Sequence, residues 1–348
     1  MRALATRVLA AGWGAMALCV LGATAPAIAA AGPITFSAPE AVSPQPLNAI
    51  VCPTASFCLA AGDHGQLTYS EAPRLGAGVW STVVVARAGR LTSATCASPR
   101  FCAVADNHGD VAVGNPSDNG TWRLTSVDHS RWLNGISCPT RRLCLAVDRQ
   151  GGVLVSSHPA AAHPGWTRVR PTHTALSSVS CPSASLCVAT ETRGRVLDSK
   201  HPRGGARAWF QRTIEPGRFS RLRQLSCPST RLCVALGSPD FTDVQTLTST
   251  HPTVRGPWRA HDLASFAHEG DLRGGVSCGS PQLCAAWAGS QFSSGEAFGS
   301  TSPGHRWLSN PFPGQEAPSS PFVSSVACGG ASLCVLADRH GDVIVGSH

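Results

Sequence analysis

Fourteen of the fifteen cysteines in this chain form pairs with one constant spacing, and this feature constrains the fold most strongly. In one copy, Ser180 and Cys181 are followed by a proline, and Cys187 begins an apolar run six positions after the first cysteine. The first cysteines of successive pairs are 42 to 51 residues apart, a period typical of an array of one supersecondary unit. The seven pairs are Cys52 with Cys58, Cys96 with Cys102, Cys138 with Cys144, Cys181 with Cys187, Cys227 with Cys233, Cys278 with Cys284, and Cys328 with Cys334.

The first 30 residues have the three parts of a secretory signal peptide. Arg2 and Arg7 make the start positive, residues 8–21 are apolar, and small residues at 25–30 offer a cleavage site. A transmembrane anchor is the alternative, but the apolar stretch is short and contains glycines, and no later stretch is suited to span a bilayer. We therefore expect residues 1–30 to be removed together with Cys19, and residues 31–348 to be secreted or associated with the cell envelope.

Export and an even number of cysteines together predict a disulfide framework. Because the pairs recur with the repeat, we expect each disulfide to close within its own unit. Zinc binding is the alternative, but zinc sites use closer cysteine pairs and usually histidines at partner spacing. The sequence predicts neither a metal nor a cofactor.

The third unit shows how one repeat is built. Residues 133–138 and 143–147 read as two strands joined by a turn that Pro139 begins, and residues 152–156 and 166–169 read as two more. The second strand is apolar at consecutive positions, which is typical of a strand buried on both faces. Four short antiparallel strands per unit indicate the blade of a β-propeller. A β-solenoid or a row of separate modules is the alternative.

The position of the aromatic residue in the fourth strand, relative to the next cysteine pair, indicates whether the units form a closed ring. The last unit ends after its third strand, whereas Phe36 lies 16 residues before Cys52, the spacing of Trp80 to Cys96. We therefore predict an all-β, seven-bladed β-propeller with four antiparallel strands per blade, closed by an N-terminal strand that joins the last blade and leaves no open edge. The tryptophans are interpreted as packing residues: Trp80, Trp122, Trp166, Trp209, Trp258 and Trp307.

The connections between third and fourth strands resemble Asp-boxes of the sialidase (BNR) superfamily of propellers. Residues 117–122, Ser-Asp-Asn-Gly-Thr-Trp, come nearest to that motif, with one residue fewer before the tryptophan. The chain is also similar to secreted bacterial repeat proteins with Cys-Pro-Ser…Cys blades. The resemblance implies a propeller fold but no sialidase activity, because the family's tyrosine nucleophile lies near the axis. The only tyrosine here, Tyr69, falls in a third strand, towards the outside of the ring.

The loops at one end of the ring hold the candidate binding residues. Arginine forks suit carboxylates, sulfates and phosphates, and a tryptophan can stack on a sugar. The candidates in the connections between blades are Arg90, Arg131, Trp132, Arg221, Arg223 and Arg273. A solvated basic surface is the alternative for any single arginine.

Three turns between second and third strands repeat an Asp, His and Gly theme and contain His64, His108 and His340. In a closed ring these histidines lie on neighbouring blades, where they could bind a ligand or a metal. The alternative is that Asp caps the turn, Gly takes a positive φ, and His is merely exposed.

The net charge is +8, and +6 once Arg2 and Arg7 are removed. This mildly basic balance is compatible with anionic surface polymers and is not typical of nucleic-acid binding. We predict a monomeric, non-enzymatic binding protein for an anionic glycan or an extracellular protein. A carbohydrate-active enzyme is the alternative, with Glu215, Glu269, Asp271 and Glu316 as the carboxylates in the loops; a purely structural envelope protein is the third possibility.

Overall fold

The computed structural model describes residues 33–348 except 119, 120, 130, 215–220, 241, 254–257, 267–271, 291–294 and 314–321. The predicted signal peptide, residues 1–30, therefore lies outside the described residues. Within the described part, the chain forms seven antiparallel sheets, and no helix there is long and apolar enough to cross a membrane.

Two short strands precede the first blade: β1 (Thr35–Phe36) and β2 (Glu40–Ala41). The first blade consists of β3 (Leu47–Thr54), β4 (Phe57–Gly62), β5 (Gln66–Ser70) and β6 (Ser81–Val84). The second consists of β7 (Leu91–Ser98), β8 (Phe101–Asp106), β9 (Asp110–Gly114) and β10 (Arg123–Ser126). The third consists of β11 (Leu133–Thr140), β12 (Leu143–Asp148), β13 (Val153–Ser156) and β14 (Trp166–Val169).

The fourth blade consists of β15 (Leu176–Ser183), β16 (Leu186–Glu191), β17 (Arg195–Ser199) and β18 (Phe210–Thr213). The fifth consists of β19 (Arg221–Ser229), β20 (Leu232–Ser238), β21 (Asp243–Ser249) and β22 (Arg259–Ser265). The sixth consists of β23 (Arg273–Ser280), β24 (Leu283–Gly289), β25 (Glu296–Ser302) and β26 (Arg306–Ser309). The seventh contains β27 (Val323–Gly329), β28 (Leu333–Asp338) and β29 (Asp342–Ser347). Single 3₁₀ turns lie at Asp63–Gly65, Pro73–Leu75, Ala77–Val79 and Ala206–Ala208.

The N-terminal segment closes the ring as the sequence predicts. In β1, Thr35 pairs with Ser347 and Phe36 with Gly346, so this strand lies antiparallel to β29. β2 pairs with the beginning of β29, where Glu40 lies opposite Val343. The seventh blade therefore contains strands from both ends of the described chain.

The first strand of each blade is its inner strand, next to the axis, because successive first strands contact one another around the ring. The second strand is buried at every position, for example in Phe57–Gly62. The apolar side chains form seven clusters, each packed between neighbouring sheets. Each cluster contains one aromatic residue of the predicted series, with Phe36 in the place of the seventh tryptophan. The packing interpretation is therefore confirmed.

All seven cysteine pairs form disulfides within a blade, with Cα–Cα distances of 4.0–4.2 Å. The turn, however, does not begin at Pro139. β11 continues to Thr140, and its register with β12 shifts between Ser137 and Thr140. This bulge places the proline, which has no N–H to donate, where the ladder is interrupted. The turn itself follows the strand, at residues 141–142.

Candidate ligand-binding site

The inner strands begin at one end of the axis, which we call the upper face, and the turns between second and third strands reach the same face. In four blades, the backbone N–H at the second position of this turn donates to the carbonyl of the residue just before the inner strand. These bonds are Asn107 to Arg90 at 3.0 Å, Arg149 to Trp132 at 3.3 Å, Thr192 to Ala175 at 3.0 Å, and Arg339 to Phe322 at 3.1 Å. The second turn position is thereby held beside the axis.

The glycine at the fourth position of the same turns adopts a positive φ, as the sequence predicts. Gly341, for example, has φ +93°, and a Cβ there would lie 2.0 Å from the carbonyl oxygen of Ser43. Since the adjoining connection packs directly on the turn, a side chain at this position has no room.

A cavity of about 360 Å³ lies at the axis on the upper face, and we call it the axial pocket. It contains four arginines contributed by different blades, and two tryptophans. The described residues lining it are Asn48, Arg90, Thr92, Trp132, Asn134, Arg223, Arg273, Gly274, Trp287, Val323, Ser324 and Arg339. None of these is an aspartate or a glutamate.

Arg90 is held in the axial pocket by the first blade. Its Nη2 donates to Asn48 Oδ1 at 2.8 Å, and its Nε lies 3.5 Å from Asp63 Oδ1. Asn48 Nδ2 donates to the same Asp63 oxygen at 2.8 Å. The three side chains form a chain of charge-assisted contacts that fixes the guanidinium and compensates one positive charge of the pocket.

Arg273 and Arg339 are not compensated in this way. Neither guanidinium has a hydrogen bond or an ion pair with any residue that the structure describes. Burial lowers the pKa of Arg339 below its ordinary value, and the nearby charges of Arg273 and Arg90 lower it further, whereas Asp63 raises it. The pocket therefore brings positive charges together and leaves two of them available to a ligand.

Trp132 and Arg149 form a stacked pair at the edge of the pocket. The Arg149 guanidinium carbon lies 3.8 Å from the centroid of the Trp132 ring, and its Nε donates to Asn134 Oδ1 at 3.3 Å. Partial burial of its guanidinium lowers the pKa of Arg149. The stack occupies one face of Trp132, so only the remainder of the ring is available to a sugar.

Trp287 is 5% exposed and also lines the pocket, and its Nε1 has no hydrogen-bond partner among the residues that the structure describes. A Cβ at Gly275 would lie 2.7 Å from that nitrogen, so the glycine on the neighbouring inner strand leaves room for the indole. The ring therefore adds a buried N–H donor to the arginines.

Arg131 and the three histidines do not reach the axial pocket. Arg131 donates through Nε to Gln150 at 2.9 Å, and its Nη1 lies 3.2 Å from Asp128 Oδ1. Its guanidinium is therefore held by side chains that lie close to it. These contacts give no support to the prediction that Arg131 faces a ligand. Arg221 lines an adjoining groove instead.

Each histidine lies in its own turn. His64 is exposed with φ 53°, His108 Nδ1 lies 4.0 Å from Asp106 Oδ2, and His340 Nδ1 lies 3.3 Å from Asp338 Oδ2. The turn aspartates Asp106 and Asp338 are buried, and Asp338 Oδ1 accepts the backbone N–H groups at positions 340 and 342 at 2.9 and 2.8 Å. These contacts are those of a capped turn, although Asp338, His340 and Asp342 do bring donor atoms within 4.8 Å of one another.

The carboxylates of the enzyme alternative, Glu215, Glu269, Asp271 and Glu316, lie outside the described residues. Tyr69 stacks on Phe57 at 6.3 Å, within the third strand of the first blade. It is therefore away from the axial pocket.

At the opposite end of the inner strands, a ring of hydroxyl groups links neighbouring blades. The residue before the first cysteine accepts the backbone N–H of the corresponding cysteine in the next blade, at 3.0–3.2 Å. The five acceptors are Thr95, Ser137, Ser180, Ser226 and Ser277. The small residue beside each pair thus contributes to cohesion between blades, a role that sequence reasoning missed although its position was visible.

Comparisons with known proteins show the fold but not a family. No protein-family model matches the chain, and no curated protein matches its sequence. The structure of U3-55K aligns with TM-score 0.68 at 12% identity, covering 89% of this chain and 98% of that one. The RRP9 WD40 repeats align with TM-score 0.68 at 11% identity, covering 90% and 99%. The Cps50 (Swd1) β-propeller domain of Myceliophteria thermophila aligns with TM-score 0.64 at 13% identity, covering 89% and 98%. These neighbours are WD40 propellers and not sialidases, so the comparisons do not bear out the resemblance to the sialidase (BNR) superfamily.

Proposed function

We propose that this chain is an exported, non-enzymatic binding protein whose axial pocket binds the acidic groups of an anionic glycan. The observation that carries the proposal is the pair of uncompensated arginines, Arg273 and Arg339, in a pocket whose described lining has no carboxylate. Guanidinium groups bind carboxylates and sulfates through two parallel hydrogen bonds, so an acidic ligand supplies the partners that these side chains lack.

The seven disulfides support the exported part of the proposal. Structural disulfides persist in oxidising compartments and are rare in the cytosol. Expression of the full chain in a secreting host should yield a product that begins near residue 31 and has no free thiol. Recovery of a protein that retains residues 1–30 would contradict the signal-peptide prediction.

Titration calorimetry with galacturonate, and with galactose as the neutral control, tests the ligand. The double variant R273Q/R339Q should bind galacturonate at least about tenfold more weakly, since each charge-assisted contact is worth about 1.5–3 kcal/mol. R231Q is the matched control, because Arg231 is an exposed arginine in the turn between inner and second strands of the fifth blade.

Equal binding of galacturonate by the double variant and the natural sequence would refute the axial site. Binding of galactose as tight as that of galacturonate would refute recognition of the acid. Mass spectrometry of acidic oligosaccharides after incubation with the protein tests the non-enzymatic part: cleavage products that form catalytically would favour the carbohydrate-active enzyme.

A further inference from the structure

A second cavity adjoins the axial pocket on the upper face. This groove has a volume of about 720 Å³ and shares Asn134 and Arg223 with the axial pocket. It extends over the third, fourth and fifth blades, while the arginines with uncompensated charge in the axial pocket belong to the sixth and seventh. The two cavities are therefore neighbours across the mouth of the ring, and we refer to them together as one path.

The groove has its own guanidinium groups. Arg149 is exposed, and apart from its Nε bond to Asn134 its side chain has no hydrogen bond with a described residue. Arg193 is also exposed, and its guanidinium has no hydrogen-bond or ion-pair partner among the described residues. Both belong to turns between second and third strands, which the backbone bonds of these turns hold close to the inner strands.

Arg149 is also oriented before any ligand arrives. Its stack on Trp132 and its bond to Asn134 fix the plane of the guanidinium, so a bound anion need not immobilise a flexible side chain. An exposed arginine held in this way differs from an ordinary solvated basic residue, whose ordering costs entropy on binding.

We propose that the groove is a second anion subsite, and that the ligand is a linear acidic polysaccharide that spans the groove and the axial pocket. This inference rests on the proposed function, since it assigns the end of the ligand to the axial pocket. Repeating acid groups along one chain match guanidinium groups that recur along one path, and each additional unit bound contributes affinity without a new encounter.

The lining favours a polysaccharide over an acidic peptide. Peptides commonly anchor through apolar side chains or add a strand to an exposed sheet edge. The large apolar side chains that are exposed among the described residues, Leu75, Val79, Val84, Phe210 and Phe322, line neither cavity. Each inner strand is the edge of its sheet, but it packs against the inner strands of both neighbouring blades, which leaves its open edge unavailable to an added strand.

Affinity measured against chain length tests the inference. Galacturonate, its trimer and its hexamer are titrated into the mature protein at low and at moderate salt. We expect the hexamer to bind at least about tenfold more tightly than the monomer, the gain that one further charge-assisted contact provides, with a steeper loss of affinity as salt rises. R193Q should remove most of this gain while leaving binding of the monomer unchanged.

The variants separate this inference from the proposed function. If monomer and hexamer bind equally tightly and R273Q/R339Q abolishes both, the axial site stands and the second subsite is refuted. If no acidic sugar binds at all, the proposed function fails. Tighter binding of a hexaglutamate peptide than of the galacturonate hexamer would assign the path to an acidic protein, and R231Q should behave as the natural sequence in every titration.

Discussion

The closing strand gives the sharpest test of the architecture, because Phe36, together with Ile34, packs the N-terminal segment against the last two blades. Phe36 is 5% exposed and belongs to the cluster between the sixth and seventh blades. Its ring meets that of Phe312 edge to face, with centroids 6.4 Å apart. Phe36→Ala removes this aromatic contact and leaves a cavity, which typically costs about 3–5 kcal/mol. That loss is a large share of the net stability of a domain, about 5–15 kcal/mol.

Urea unfolding followed by tryptophan fluorescence measures this loss, since Trp287 lies in the same cluster. Val84→Ala is the control on an outer strand; Val84 is 59% exposed, so its truncation should change the unfolding free energy by less than about 0.5 kcal/mol. Gly346→Ala approaches the same contact from β29, because a Cβ there would lie 2.5 Å from Phe36 Cε1. It should destabilise by about 1–3 kcal/mol. A midpoint for Phe36→Ala equal to that of the natural sequence would refute the closure of the ring by β1.

Three further predictions concern the inside of the ring. Ser180→Ala leaves the N–H of Cys227 without its acceptor and should lower the unfolding free energy by about 1–3 kcal/mol in the same assay. Replacing Cys181 and Cys187 by alanine opens a loop of about seven residues and should cost about 2 kcal/mol, without loss of the other six disulfides in a mass-spectrometric thiol count. Burial raises the pKa of Asp128 to about 6, above its ordinary value of 3.8, so its contribution to stability is present at low pH and is lost as pH rises through 6. Asp128→Asn, which stays neutral, should therefore gain stability relative to the natural sequence by roughly 1–3 kcal/mol between pH 5 and pH 8; a difference independent of pH would contradict this account.

The buried carboxyl pair explains why the last effect is expected at this place. Asp128 and Asp148 are fully buried and share Arg168, whose Nε lies 2.9 Å from Asp128 Oδ1 and whose Nη2 lies 2.5 Å from Asp148 Oδ2. The charge of Asp148 adds to the burial that raises the pKa of Asp128, whereas the pKa of Asp148 itself is lowered by hydrogen bonds that oppose its burial. Arg168 and Arg131 both lower the pKa of Asp128, but burial and the neighbouring Asp148 raise it more, so Asp128 is the acid of the pair that keeps its proton to higher pH.

The repeat made most of the fold predictable. The constant spacing of the cysteines indicated the disulfide of each blade, and the position of Phe36 indicated how the ring closes. Every unit shows the same spacing between its two cysteines and has an aromatic residue before the next pair, so one irregular copy does not obscure the pattern. The assignment of Pro139 to a turn was wrong because a bulge is a local register shift, which alternation of residue types does not reveal.

Side-chain direction within a turn decided which site residues the sequence could identify. The sequence identified the turns between second and third strands by their Asp, His and Gly residues. The residue that faces the axis, however, is the second of the turn, which in the seventh blade is Arg339 and not His340. Arg131 illustrates the opposite case: it lies one residue before Trp132, yet its guanidinium turns to Asp128 and Gln150. Proximity in sequence does not determine which neighbour offers the better hydrogen bond.

Arg273 shows most directly how a binding residue arises from an irregular blade. In the fifth blade, a register shift between Leu222 and Gln224 lets the leucine five positions before the first cysteine enter the core. The sixth blade has no shift at this point, and Arg273 pairs regularly with Gly289. Its buried leucine, Leu272, lies one residue earlier, so an arginine occupies the position that leucine holds in the first five blades. A single missing bulge thus exchanges a core side chain for a charged one at the pocket. The residues that the blades share therefore determine the scaffold. The binding residues stand where one blade departs from the repeat, and comparison of the copies does not predict them.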